Sequence, residues 1–154
     1  MRILVQRVTE AAVDVASRRV GSIGPGLLAY LGVHKDDTGK DAEYLSRKLV
    51  NLRVFEDDRG RMNLSALELK VEILIVSQFT LYADTNRGFR PGFSEAMEPA
   101  GAEKLYGLFV DLCRRSGLKV ETGEFRAMMK VSYTNDGPIS LIVDSPQATP
   151  KASS

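Results

Sequence analysis

The chain has 154 residues, a length that suits one domain with enough core to fold without disulfide or metal staples. An apolar fraction of 44% and a charged fraction of 27% are those of an ordinary soluble globular protein. The formal net charge of +1 excludes a histone-like nucleic-acid binder and leaves room only for a local basic patch.

The single cysteine, Cys113, rules out an intrachain disulfide framework and suits a reducing compartment. No apolar run approaches the ~20 residues that span a bilayer. The opening Met1-Arg2-Ile3-Leu4-Val5-Gln6-Arg7 meets a second charge too soon for a secretory leader. The expectation is a soluble cytoplasmic protein without membrane contact, built as one domain over residues 1–145. Residues 146–154 lose the apolar pattern and are expected to form a flexible tail.

In chain order, residues 3–8 and 11–15 read as two strands, the second alternating Val13 and Val15 against Asp14. Ser17-Arg18-Arg19 turns the chain into a short strand at 20–23. Gly24-Pro25-Gly26 is a strong turn signal before an apolar strand at 27–33. This opening third predicts a β-meander. A helix follows, with Thr38 and Asp41 in capping positions and Ala42, Leu45 and Leu49 on one face. A strand at 52–55, the turn Asp57-Asp58-Arg59-Gly60 and a loop with one helical turn over 61–69 come next.

The most hydrophobic run, Val71-Glu72-Ile73-Leu74-Ile75-Val76, is short, rich in β-branched residues and predicts a buried strand. It delivers Ser77, Gln78 and Thr80 to its own C-terminal edge, where polar groups need partners or water. A turn-rich loop carrying Arg87 and Arg90 follows. A second helix starts at Pro99, shows an apolar stripe through Ala102, Leu105, Leu108/Phe109 and Leu112/Cys113, and ends at Gly117. Strands at 119–121, 128–134 and 139–144 complete an α+β pattern. The expected architecture is mostly antiparallel sheets forming an open barrel-like core, with two main helices packed outside.

The candidate chemistry narrows quickly. His34, the only histidine, lies in a turn beside Lys35 and two aspartates and reads as a solvated surface group rather than the base of a Ser-His-Asp set. One histidine and one cysteine, far apart and without ligand spacing, give no zinc site, and no cofactor is expected. Asn135-Asp136-Gly137-Pro138 joins two strands, so a hairpin turn is the simplest reading. Pro138 removes a backbone donor where the next strand should start. A Gly-Pro unit held at a tip presents carbonyls in a fixed direction, which suits a site that judges the handedness of a substrate carbon.

Taken together, Ser77-Gln78-Phe79-Thr80-Leu81 and Asn135-Asp136-Gly137-Pro138 resemble the two motifs, SQFTL and NxGP, of the D-aminoacyl-tRNA deacylase family. The resemblance extends through Gln6-Arg7-Val8, residues 21–28, Asn51-Leu52-Arg53, Met62-Asn63-Leu64-Ser65 and Leu81-Tyr82-Ala83-Asp84. Ile139-Ser140 stands where the family usually has Val-Thr, and Phe89 and Gly92 stand where polar residues are commoner.

The resemblance implies a homodimeric hydrolase of the ester between a D-amino acid and the 3′ end of tRNA, releasing both and rejecting L-aminoacyl-tRNA. Glycyl-tRNA, such as glycine mischarged on the tRNA for alanine, is implied as a second substrate. It also implies that Gly137-Pro138 is cis and reaches into the partner subunit's site. Ser77, Gln78, Phe79 and Thr80 would then carry the chemistry, while Gly137, Pro138, Met129 and Arg7 shape substrate binding.

No histidine or lysine in the motif would activate Thr80, so backbone N–H groups around Phe79 and Thr80 are the preferred oxyanion stabilisers. Two readings from other classes remain: a non-catalytic RNA-binding domain of the same fold using Arg87, Arg90 and Lys35, or a small-molecule esterase with a Thr or Ser nucleophile.

Overall fold

The first strand, β1 (Arg2–Val15), joins the two expected at 3–8 and 11–15 into one of 14 residues. Between them Thr9 and Glu10 both face solvent, because the ladder to the last strand shifts register there and the bulge turns two neighbours outward. The computed structural model describes residues 1–146, so the expected tail, Pro146 apart, lies outside the described residues. Among the described residues no helix is long and apolar enough to cross a membrane.

β2 (Arg18–Ile23) pairs antiparallel with the C-terminal half of β1, and β3 (Gly26–Gly32) with its N-terminal half. The expected meander is therefore a long bent hairpin. Pro25 offers no N–H to the ladder, so pairing lapses at Gly24-Pro25 and resumes at Gly26 on the same edge.

After α1 (Gly39–Asn51) comes a two-stranded ribbon, β4 (Phe55–Glu56) with β5 (Met62–Leu64), and then the single turn α2 (Ala66–Leu69). The strand expected at 52–55 thus shrinks to the start of this ribbon. β6 (Glu72–Ser77) lies parallel to β3, and beyond α3 (Pro99–Arg114) β7 (Val120–Thr122) lies parallel to β6. β8 (Met129–Asp144) covers the other edge of β1. The main sheet runs β2-β1-β3-β6-β7 with β8 beside β1. It curls until its ends nearly meet: a Cβ placed on Gly21 of β2 would lie 2.3 Å from the Thr122 carbonyl oxygen of β7.

Strand alternation divides the core. Leu27, Ala29 and Leu31 of β3, with Ile73 and Ile75 of β6, face the helices, where Ala42, Leu45, Leu49, Phe109 and Cys113 are fully buried against them. Each such large aliphatic or aromatic side chain contributes roughly 1.5–3 kcal/mol on burial. Leu28, Leu74 and Val76 point the other way, into the hollow of the curled sheet with Val8, Ala11, Val13 and Ile23.

The helix ends follow their local signals. The Asp41 carboxylate accepts from the Thr38 N–H at 2.8 Å, Pro99 opens α3 with Glu98 capping the Ala100 and Gly101 amides, and Gly117 (φ 87°) turns the chain out of α3. The α+β class and the barrel-like sheet with two main helices outside stand as expected.

Candidate active site

β6 ends at Ser77 on the floor of a cavity of about 680 Å³. Gln78 leaves the ladder but keeps one bond, its N–H donating to the Leu31 carbonyl of β3 at 2.8 Å. From there residues Phe79–Tyr82 form a 3-10 turn. The opposite wall is the approach to α3, Phe93 and Ala96 to Pro99, and the third wall is Phe125 to Met129 at the start of β8. Phe79 and Phe93 meet edge to face with centroids 5.1 Å apart, joining two walls at the rim.

The turn is held from behind. A Cβ on Gly32 would lie 3.0 Å from Leu81 Cβ and 3.2 Å from the Gln78 carbonyl oxygen, so glycine lets β3 pass this close without pushing on the turn. Arg2 donates to the Leu81 carbonyl at 3.2 Å and lies 5.2 Å over the Tyr82 ring. Burial, reinforced by the nearby Asp37 carboxylate, pushes the Tyr82 hydroxyl well above its ordinary value, so it stays protonated. Tyr82 therefore packs as a neutral ring behind the turn.

Ser77 and Gln78 are half-buried, whereas Phe79 and Thr80 are exposed. The Gln78 side-chain amide donates to the Thr80 hydroxyl. Among the described residues no histidine, lysine or carboxylate bonds that hydroxyl, so it lacks a base. The Phe79 and Thr80 amides open the 3-10 turn and have no acceptor inside it. Two donors are thus left unpaired by the turn, one of them on the cavity-lining residue Phe79.

His34 is less solvated than expected. Its Nε2 lies 3.1 Å from Glu95 Oε2, its ring meets Tyr82 edge to face at 5.2 Å, and Nδ1 accepts from the Asp36 N–H at 3.2 Å. Both nitrogens are engaged away from Ser77 and Thr80. Lys35 and then His34 hold the Glu95 carboxyl below its ordinary value.

The second motif does not make a hairpin. Both flanking segments run antiparallel to β1, with Val8 opposite Asn135 and Gln6 opposite Ser140. Between these pairs β1 contributes Arg7 alone, while β8 contributes Asp136, Gly137, Pro138 and Ile139. The excess residues leave the ladder as an excursion. Asn135 closes its base, its side-chain amide donating to the Arg7 and Ile139 carbonyls at 3.0 Å each, and buried Ile139 anchors it in the core.

Arg7, only 6% exposed, donates to the Val54 carbonyl at 2.7 Å and to the Gly137 carbonyl at 3.3 Å. Its Nε lies 3.0 Å from Asp136 Oδ2, an ion-pair distance whose angle does not make a hydrogen bond. The Gly137-Pro138 peptide is cis and exposed.

The fold thus gathers Ser77, Gln78, Phe79 and Met129 around one cavity, with Thr80 on the adjoining turn. Arg7 meets Gly137 elsewhere, and neither Gly137 nor Pro138 lines that cavity.

Residues 4–144 match the family described as D-Tyr-tRNA(Tyr) deacylase. The chain belongs to that family. It is 56% identical over 146 residues to a D-aminoacyl-tRNA deacylase of Thermosipho melanesiensis, covering 94% of this chain and 97% of that protein. A namesake from Chlorobaculum parvum is 55% identical over 148 residues, covering 96% and 99%. Among solved structures, the c-Myc DNA Unwinding Element Binding Protein superposes with a TM-score of 0.89 at 41% identity, covering 95% of this chain and 99% of that one. A probable eukaryotic D-amino acid tRNA deacylase shares the fold at 18% identity with a TM-score of 0.82.

In this member of the D-Tyr-tRNA(Tyr) deacylase family, sequence reasoning missed Phe93, Met97, Phe125 and Met128 as cavity walls. Phe93 and Met128 are exposed despite being large and apolar. The local signal was weak: Phe93 lies in a loop without periodicity and Met128 at the first residue of the expected strand, and only the tertiary path brings them to one cavity with Ser77.

Proposed function

We propose that the chain hydrolyses the ester joining a D-amino acid to the terminal ribose of tRNA. Its cavity receives the aminoacyl end. The observation that carries this reading is the cavity at the C-terminal end of β6, lined by Ser77, Gln78 and Phe79 of the deacylase motif in a chain that matches the family over residues 4–144.

In the proposed reaction a water oxygen attacks the ester carbonyl carbon, and the Phe79 and Thr80 amides donate to the developing oxyanion. Collapse breaks the bond to the ribose oxygen, which leaves with a proton as free tRNA, while the amino acid departs as its carboxylate. The vicinal ribose hydroxyl of the substrate assists in activating the water. Ser77, Gln78 and Thr80 side chains shape the pocket without forming an acyl-enzyme.

The working unit is a cytoplasmic homodimer in which Gly137-Pro138 of a second copy approaches the cavity with Met129 on its wall. Arg7 braces that tip. Two features support this: the tip does not line its own chain's cavity, and the outer face around β8 and the cavity rim leaves Met128, Tyr133, Ile142 and Phe79 exposed. The backbone carbonyls at the tip would leave no room for an L side chain, while glycine, having none, passes as a second substrate.

The deciding experiment compares D-Tyr, L-Tyr and Gly esters of tRNA. Hydrolysis of the D-Tyr and Gly esters with the L ester spared is the expected result. Equal turnover of D and L, or of none, overturns the reading. Binding without turnover is a second reading, favoured by the 41%-identical relative of solved structure, which is named for binding a DNA element. Salt-sensitive tRNA binding with no ester hydrolysis would establish it.

A further inference from the structure

The loop between the 3-10 turn and Phe93 carries charge and an aromatic ring that nothing in the catalytic scheme uses. Its base is closed by two backbone bonds, the Asp84 N–H to the Gly92 carbonyl at 2.8 Å and the Gly92 N–H to the Asp84 carbonyl at 2.9 Å. Inside the base, the Asp84 carboxylate accepts from the Asn86 N–H at 2.9 Å and side-chain amide at 2.8 Å. Beyond this Asx-type closure the chain presents Arg87, Gly88 (φ 68°), Phe89 and Arg90, all exposed, with the Phe89 ring fully exposed.

Residues 85–92 include two arginines and no carboxylate. Among the described residues neither Arg87 nor Arg90 forms an ion pair, whereas Arg2 and Lys35 are paired with Asp144 and Glu95. A phenyl ring standing in water between two free guanidinium groups gains nothing from the fold. It matches what single-stranded RNA offers: a base face for stacking and phosphates on either side.

Position strengthens the match. The loop leaves from the turn that carries Phe79 and Thr80 and returns at Phe93, which meets Phe79 edge to face at the cavity rim. The loop therefore connects two walls of the cavity that receives the end of the polymer. We propose that residues 87–90 bind the unpaired acceptor end of tRNA, Phe89 stacking on a base upstream of the terminal adenosine and Arg87 and Arg90 contacting backbone phosphates. This rests on the reading of the cavity as the aminoacyl site.

The test uses Arg87→Ala/Arg90→Ala and Phe89→Ala in the full chain, with two readouts. Binding of uncharged tRNA is followed by fluorescence anisotropy over a salt series. Hydrolysis is followed on D-tyrosyl-tRNA and on 3′-O-D-tyrosyl-adenosine, which lacks the acceptor strand. The double variant should weaken tRNA binding roughly tenfold and flatten the salt slope by about 1.5, since each lost phosphate contact removes about 0.7–0.9. Phe89→Ala should weaken binding roughly tenfold with the slope retained. Both should cleave the adenosine ester at the wild-type rate.

Wild-type tRNA affinity and salt slope in both variants would overturn the proposal. So would an equal loss on the adenosine ester, which would mean a damaged cavity. A change of oligomeric state in Phe89→Ala, read by gel filtration, would instead make the loop a protein contact. A wild type that binds tRNA but cleaves neither ester would defeat the deacylase reading while the binding arm still decides the loop.

Discussion

The Arg7 guanidinium donates to the Gly137 carbonyl at 3.3 Å, from the one β1 residue left facing the four-residue excursion of β8. The same group reaches the Val54 carbonyl at 2.7 Å, so one side chain ties three segments together. Lysine offers a single ammonium and cannot span both acceptors. Arg7→Lys should therefore cost about 1–3 kcal/mol, the range for leaving a buried polar partner unsatisfied. Chemical denaturation measures that loss. Loosening the tip should also raise L-ester hydrolysis relative to D, and an unchanged D/L ratio would show that the tip does not gate chirality.

Thr80 accepts a hydrogen bond from Gln78, and among the described residues no base bonds its hydroxyl. Thr80→Ala should keep the D-ester rate within about tenfold, because a structural hydroxyl contributes on the order of one hydrogen bond. Steady-state kinetics on D-Tyr-tRNA decides it. Near-complete loss of rate, or a trapped acyl-enzyme in the wild type, would make Thr80 the nucleophile.

Gly32 lies beneath the Phe79–Tyr82 turn, where a methyl group would sit 3.0 Å from Leu81 Cβ. Gly32→Ala should displace the turn by a few tenths of an ångström and destabilise the fold by about 1–3 kcal/mol. Because the amides of Phe79 and Thr80 move with it, turnover should fall roughly tenfold while tRNA binding stays near wild type. Full turnover in a folded Gly32→Ala protein would remove those amides from the oxyanion role.

Acid stability follows from carboxylates used as caps. Glu68 accepts from the Ser65 N–H at 2.8 Å and the Ser65 hydroxyl at 2.9 Å, which holds it below its ordinary 4.5. Arg61 and Arg59 amides do the same for Asp57. A folded pKa below the unfolded one stabilises fully above the unfolded value, and the contribution is lost as pH falls through the folded value. Thermal stability should therefore decline as pH falls below the ordinary carboxylate range. Ser65→Ala removes the cap at a cost of about 1 kcal/mol, and its acid decline should be shallower. An identical pH profile in that variant would assign acid sensitivity to other groups.

Much of the fold was legible in the chain. Helices α1 and α3 announce themselves through periodic Leu, Ala and Phe positions and through Thr38, Asp41, Pro99 and Gly117, because helical bonds and caps connect residues three or four apart. The run from Val71 to Val76 reads as a buried strand because both faces are apolar, and Ser77 to Leu81 is recognisable letter by letter. Those signals are local, and local chemistry suffices to create them.

What the sequence alone determined is the set of elements and the composition of the two motifs. Their spatial meaning was decided by tertiary structure. Whether β1 is one strand or two depends on the partners along its edges, and whether Asn135 to Pro138 is a hairpin depends on the direction its flanks take along β1. The same holds for the cavity, whose walls at Phe93 and Phe125 reach Ser77 only after the sheet curls and α3 packs. Strand register and cavity closure are set by contacts between residues far apart in the chain, so no window of neighbouring residues contains them.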